Sequence, residues 1–294
     1  MLVSVIVTTY NRPDALRAVL AGLQAQKERE FEILVADDGS RGDTRALVET
    51  AARTSALPIR HVWQEDNGFR AGAARNRAAA QARGEYLLFL DGDCVPRPDW
   101  IAQHRSLAER KWMVAGNRIL LSDAFTRLVL ASGTPIHEWT DEQWQAAQAR
   151  GDINRTKPLK VLSLGPLRKL AGRRWQRIRT CNLGVWMSDF RAVNGFDEAF
   201  EGWGFEDSDL AVRLINHGTR RKEGAFATGV LHLWHRENDR RFEGRNWDRL
   251  QQRIARHEVL AAAGLDRYAP SVTSPRTGAR RAGSRSVARA GRAA

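Results

Sequence analysis

The stretch LVSVIVTTYNRPDALRAVLAGLQAQKEREFEILVA, residues 2–36, decides the fold class. Leu2–Val7 is an apolar run rich in β-branched residues, the length of a buried strand. From Pro13 to Gln24 the side chains Leu16, Val19, Leu20 and Leu23 recur at helical spacing. Pro13 suits the first turn of that helix, where no backbone donor is needed. Phe31–Ala36 then returns to a strand run. Strand, helix and strand in so short a span make a βαβ unit, whose strands lie parallel.

Outward from this unit the alternation continues with a helix at Thr44–Ala52, a strand at Ile59–Trp63, an alanine-rich helix at Ala71–Ala82 and a strand at Tyr86–Leu90. The expected class is α/β, a mostly parallel central sheet with helices on both faces. In such sheets ligands bind beyond the carboxyl ends of the strands. Three polar clusters fall there: Thr8-Thr9-Tyr10-Asn11, Asp37-Asp38-Gly39-Ser40 and Asp91-Gly92-Asp93. The topology brings them to one acidic rim. The first loop after a strand has no glycine, so a Gly-rich phosphate cradle is absent. Asp91 and Asp93 can instead hold Mg²⁺ or Mn²⁺, which shares phosphate oxygens with carboxylates. Two of the clusters also have a plainer reading: Asp91-Gly92-Asp93 as turn chemistry, Asp37-Asp38 as a helix cap. Arg75 is either on a solvated helix face or buried against a nucleotide.

Past residue 120 the patterning weakens. Residues 122–180 carry Trp139, Trp144 and Trp175 without clear period, and residues 151–180 hold nine Lys/Arg against one acid, Asp152. An insertion or mobile segment is expected: a flap over a diphosphate, a contact with anionic lipid or lipopolysaccharide, or a solvated loop. Order returns with a strand at Asn182–Met187, a helix from Asp207 to His217, a strand at Ala225–Leu233 and a helix near Asn246–Ala262. In Glu201-Gly202-Trp203-Gly204-Phe205-Glu206-Asp207-Ser208-Asp209 the glycines permit close approach and Trp203 offers a sugar platform. A carboxylate beside it can serve as general base, with helix capping as the alternative. His232, near the end of the last strand, can complete a Mn²⁺ site, while alternation puts His235 on the other face or past the strand's end.

The net charge of +13 is concentrated in the 151–180 segment and in residues 271–294, which carry six arginines and no acid. The motif-bearing body is close to neutral, which argues against a nucleic-acid-binding protein. Two cysteines imply no disulfide framework, and no apolar run reads as a signal peptide or membrane span. A cytoplasmic protein is expected, touching at most the inner face of the membrane. Pro270 onward lacks aromatics, and 266–294 is expected to be an Arg-rich disordered tail.

The motifs VSVIVTTYNR (3–12), VADDGS (35–40), LFLDGD (88–93) and VNGFDEAFEGWGFEDSDL (193–210) together resemble the inverting family 2 glycosyltransferases of GT-A fold. The last is similar to the galactosyltransferase C-terminal motif of β-1,4-galactosyltransferases and chondroitin-polymerase-like enzymes. Asp66-Asn67-Gly68 with Ala74-Arg75-Asn76 points the same way, and the likeness covers residues 2–260. It implies one GT-A domain over 1–265, with a nucleotide-binding half about 1–120 and an acceptor and catalytic half about 181–265. Thr8, Tyr10 and Arg12 would surround the nucleoside, Asp38 and Arg75 the base or ribose, and Asp91 the ribose or metal. Asp93 would ligate the metal, with His232 the better match and His235 the alternative. Trp203, Gly204 and Asn182 would face sugar or acceptor, Glu206 would orient substrate, and Asp207 would be the general base. The implied activity is hexosyl or N-acetylhexosaminyl transfer, from a UDP-sugar to a glycan or lipid-linked glycan, in surface polysaccharide or lipopolysaccharide synthesis. Phe205 stands where the motif often has Gly and Ser208 where it often has Asp. The first is expected to reshape the sugar pocket. A metal-dependent nucleotide-sugar hydrolase and a nucleotidyltransferase remain the rival readings, with no nucleic-acid partner expected.

Overall fold

A computed structural model describes residues 1–237 and 239–268. Strands β1 (Val3–Thr9), β2 (Phe31–Asp37), β3 (Ile59–Trp63) and β4 (Tyr86–Asp91) are parallel, in the spatial order β3-β2-β1-β4. Helices α1 (Pro13–Gln24), α2 (Gly42–Thr54) and α3 (Ala71–Ala80) connect them. Side chains alternate across the pleat, so each strand feeds two cores. Val3, Val5 and Val7 join Leu16, Leu20 and Leu23 of α1 on one face. Ile6 joins Leu34, Phe89 and the alanines of α3 on the other.

The second half turns the parallel sheet into a mixed one. Beyond β4 the chain forms β5 (Cys94–Pro96), α4 (Trp100–Leu107), β6 (Trp112–Ala115) and β7 (Arg118–Leu120), and after the basic segment β8 (Asn182–Trp186). Strand β8 runs antiparallel between β4 and β6, and β9 (Arg220–Glu223) closes the seven-stranded sheet beside β6. The sequence RRKE of β9 is charged throughout, as suits an edge strand, and gives no apolar alternation to read. A second sheet of three short strands has the order β5-β10-β7, with β10 at Val230–His232. The strand expected over Ala225–Leu233 is therefore short. Its first half is a turn in which the Thr228 amide donates to the Gly224 carbonyl (3.0 Å) and Phe226 takes φ 57°.

The segment 122–180, expected to be a mobile insertion, holds α5 (Asp123–Ser132) and α6 (Asp141–Ala149) with 3-10 turns between and after them. Each helix is capped: Ser122 Oγ accepts from the Phe125 amide, and Thr140 with Gln143 makes a capping box. Trp144 is fully buried, 5.0 Å from the Trp139 ring, which lies 5.5 Å from Phe125. Helices of about two to three turns offer too few apolar positions for a period to show.

Helices α7 (Met187–Ala192), α8 (Glu206–Asn216) and α9 (Glu243–Ala255) cover the second face. Buried ion pairs join the last two: Asp209 accepts from Arg213 (2.7 Å) and Arg253 (2.8 Å), and Arg253 also reaches Asp197. The folded part extends past the expected boundary at 265. Leu265–Tyr268 is a 3-10 turn, tied by Asn194 Nδ2 donating to Asp266 (2.9 Å) and by Arg77 lying over the Tyr268 ring. Residues 269–294 of the expected tail lie outside the described residues. No helix among the described residues is long and apolar enough to cross a membrane.

A candidate active site at the carboxyl edge of the sheet

A cleft of about 710 Å³ opens beyond the carboxyl ends of β1 and β4, between the start of α8 and the end of β10. Thr8 and Asp91 are register partners across β1 and β4. The Gly92 amide donates to the Thr8 carbonyl (2.7 Å), and a Cβ at Gly92 would stand 2.9 Å from that oxygen. The glycine between the two aspartates is thus required by the closeness of β1.

Arg75 rises from α3 beneath the cleft, buried. Its Nε donates to Thr8 Oγ1 and its Nη2 to Asp91 Oδ1, both at 2.9 Å. Its Nη1 lies 3.7 Å from Glu206 and 3.9 Å from Asp207, and the guanidinium covers the Phe196 ring. One cation therefore ties β1, β4 and α8 together. Its Nη1 makes no hydrogen bond among the described residues, and Arg75 lines the cleft at its floor. Burial, with the Asp207 charge beside it, pushes the Glu206 carboxyl up to about 7. Burial raises Asp91 to about 6 even with Arg75 in contact.

Asp207 is held from the other side. The Thr180 hydroxyl donates to Oδ1 and the Thr180 amide to Oδ2 (3.1 Å), so the carboxylate is clamped by one fully buried residue. Thr180 and its neighbour Arg179, which lines the cleft, end the basic segment. Sequence reasoning passed over both, and no spacing signal in a basic loop distinguishes them.

The pairing of β10 with β5 sets His232 opposite Cys94, and the Leu233 amide donates to the Asp93 carbonyl (2.8 Å). His232 Nε2 then lies 3.7 Å from Asp93 Oδ1 and His235 Nε2 3.4 Å from Oδ2. His235 Nδ1 sits 2.6 Å from the Arg236 carbonyl. As the donor there, it leaves Nε2 with its lone pair toward Asp93. Burial holds His232 down at about 4, neutral at pH 7. Both histidines reach the same carboxylate because β10 ends at His232 and the chain turns. A carboxylate with two imidazole nitrogens fits Mn²⁺ better than Mg²⁺, which favours oxygen. The Cys94 thiol, in contact with Asp93, is pushed well up by burial and keeps its proton.

Other expected residues divide. Arg12 lines the cleft. Tyr10 also lines it and donates to Asp66 (2.9 Å). Asp38 accepts from Gln64 and from the Arg70 amide, both at 2.7 Å, and burial raises it to about 6. Trp203 lines the cleft with the Arg240 guanidinium 4.9 Å over its ring. Gly204 and Phe205 do not line it. Phe205 has φ 68°, which explains the family's usual glycine, and its ring packs 5.1 Å from Trp247 of α9. Phe205 therefore leaves the pocket's shape to its neighbours. Asn182 is a clear correction. It is fully buried, with Oδ1 accepting from Trp100 (3.1 Å) and bonded to His104 (2.9 Å), and Nδ2 donating to the carbonyls of Asn117 and Thr228. All four of its bonding positions are used inside the protein, and none is left for a sugar. The rim is also not purely acidic: Arg118, Arg179, Arg236 and Arg240 join it.

Residues 4–165 match the family model described as glycosyl transferase family 2, and residues 171–236 one described as the N-terminal domain of galactosyltransferase. The chain is 31% identical over 224 residues to validoxylamine A glucosyltransferase of Streptomyces hygroscopicus subsp. limoneus, covering 74% of this chain and 48% of that one. It is 30% identical to hyaluronan synthase of Pasteurella multocida (74% of this chain, 23% of that one). With chondroitin synthase of Escherichia coli it shares 28% identity (76% and 34%). The chain thus spans about half or less of the length of these relatives. Among solved structures, S. aureus TarS in complex with UDP aligns with TM-score 0.57 at 16% identity, over 91% of this chain and 68% of that one. A mannosyltransferase of Pyrobaculum calidifontis, in complex with GDP-Man and Mn²⁺, aligns with TM-score 0.55 at 20% identity (80% and 57%). Likeness at these identities bears on the fold, which is that of these glycosyltransferases.

Proposed function

The chain belongs to glycosyltransferase family 2, and from that premise we propose that it moves a sugar from a UDP-sugar to a hydroxyl of a glycan or lipid-linked glycan, with inversion at the anomeric carbon. The observation that carries this reading is the convergence of Asp91, Glu206 and Asp207 on buried Arg75, across one cleft from Asp93, His232 and His235. Asp93, His232 and His235 would hold a divalent metal, Mn²⁺ by the nature of the donors, which when bound supplies positive charge for the donor's diphosphate.

Asp207 takes the proton of the acceptor hydroxyl as that oxygen bonds to the anomeric carbon and the diphosphate leaves from the opposite side. Thr180 fixes its carboxylate, and Arg75 balances its charge, so it meets the acceptor already oriented. Glu206, with its raised pKa, is available to hydrogen-bond the sugar as donor or acceptor near neutral pH. Trp203 offers a flat apolar face to the ring. Thr8, Tyr10, Arg12 and Asp38 line the other end of the cleft, where the nucleoside would lie.

The decisive experiment is Asp207→Asn. Sugar transfer is expected to fall by about 10²–10⁴-fold, the scale of general-base catalysis, with UDP binding by calorimetry unchanged. Near-normal transfer by this variant would remove Asp207 from the role. Release of free sugar at equal rates with and without every candidate glycan would favour hydrolysis of the donor instead. Surface polysaccharide or lipopolysaccharide synthesis is the setting this chemistry suits.

A further inference from the structure

The basic segment was open to three readings, a flap, a lipid contact and a solvated loop, and its placement bears on the first. Of its cations Arg179 reaches the catalytic cleft, whereas Lys169, Arg173 and Arg174 line a separate concavity of about 450 Å³ beside Trp112 and Arg220. Trp112 starts β6, and through β8 its level in the sheet is that of Tyr86, the amino end of β4. The cleft lies at the carboxyl end. These cations therefore face away from the donor site and do not form a flap over it.

The same stretch exposes apolar side chains. Leu170 (81%) and Leu167 (63%) are the two most exposed large apolar residues among those described, and Val161 and Leu162 are half exposed beside them in sequence. They stand on a fixed support. Buried Arg168 donates to the carbonyls of Glu223 (2.9 Å), Ala225 (2.6 Å) and Leu162 (2.8 Å), and the Leu162 amide donates to the Phe226 carbonyl (2.9 Å). Lys169 pairs with Glu109 (2.8 Å) and covers the Trp112 ring, and the Arg221 amide donates to the Gly172 carbonyl (2.8 Å). The leucines thus project from a pinned loop and cannot fold back to cover themselves.

We propose that Val161, Leu162, Leu167 and Leu170, with Lys160, Arg173, Arg174 and the Trp112 concavity, form a docking surface for an anionic phospholipid bilayer. Aliphatic prongs have no counterpart on a sugar or a nucleic-acid backbone, but they match hydrocarbon just below a headgroup layer. Exposed arginines without an acid between residues 153 and 180 match the negative headgroups above it. The concavity is wide enough for one phosphorylated headgroup. The surface stands apart from the catalytic reading. Where that reading also holds, the acceptor is carried on lipid, and the Arg179-Thr180 end of the segment links the docked loop to Asp207.

The test is sedimentation of the full chain with vesicles of phosphatidylcholine alone or with about one-third phosphatidylglycerol. Binding is expected to the anionic vesicles only. It should fall at least about tenfold in L167E/L170E and in R173E/R174E, with UDP-induced thermal shift retained as the check on folding. Wild-type protein that ignores both vesicles, or L167E/L170E that binds like wild type, overturns the proposal. So does binding lost only when the six arginines beyond residue 275 are replaced by glutamine, which would assign it to the C-terminal stretch. Asp207→Asn should still bind the vesicles, so the docking surface and the transferase reading fail separately.

Discussion

Replacing Thr180 with valine removes the hydroxyl that donates to Asp207 Oδ1 and keeps both the branched shape and the amide bond to Oδ2. A hydrogen bond to a charged group contributes about 1.5–3 kcal/mol, so kcat should fall about 10- to 100-fold. Donor KM should change little, and serine at 180 should restore most of the rate. A valine variant with full kcat would give Thr180 a purely structural part. Thr180 was illegible in the sequence because nothing local marks a threonine that serves a carboxylate 27 residues on. The opposite error arose at Asn182, expected to face sugar or acceptor: only burial shows its four bonding positions already filled. Asp93 and Trp203, singled out by a strand end and paired glycines, and Asp207, singled out by the family resemblance, all line the cleft. Arg75 was left open between a solvated helix face and a buried cation, and nothing local marked it as the link among three acids.

The parallel half of the sheet was readable because β1, β2 and β4 are mostly apolar runs, β3 follows in the same alternation, and α1 begins on Pro13. The three-residue strands β5, β7 and β10 are too short for any period, yet their pairing is what brings His232 to Asp93. Sequence alternation had put His235 on the other face or past the strand's end, as the alternative ligand; the strand ends at His232, and both histidines reach Asp93. The close fit of β1 against the Asp91-Gly92-Asp93 turn gives a prediction for these elements. Gly92→Ala would put a methyl group 2.9 Å from the Thr8 carbonyl, an oxygen fixed by the ladder. The turn must shift, at a cost of about 1–3 kcal/mol, and carry Asp93 with it. Thermal melting should report the loss, and a Mn²⁺ titration by calorimetry should show affinity at least about tenfold weaker. Unchanged Mn²⁺ affinity together with lowered melting temperature would separate the turn from the proposed metal site.

For the whole molecule, the cleft costs stability at neutral pH. The Glu206 carboxyl titrates near 7 in the folded chain against an ordinary value near 4.5, so the folded state binds its proton more tightly than the unfolded chain does. Its contribution is most favourable below the unfolded value and is lost as pH rises through about 7. Glu206→Gln should therefore stabilise the metal-free protein by about 1–3 kcal/mol at pH 8, an advantage that shrinks as pH falls toward 5. Denaturant unfolding at the two pH values checks this, and an advantage independent of pH would refute the cause. The layout of the molecule has one further consequence. The Gly116 amide donates to the Asn182 carbonyl (2.9 Å), so the chain leaves the main sheet and re-enters it at nearly the same point. The polypeptide between these two residues is a cassette with adjoining ends. With it travel β7, whose pairing supports β10, then Arg118, Arg179 and Thr180 on one flank of the cleft, and the exposed leucines on the outside. An exchange that keeps β7, Arg179 and Thr180 would give evolution, or an engineer, a way to recast the outer face while leaving the clamp on Asp207 in place.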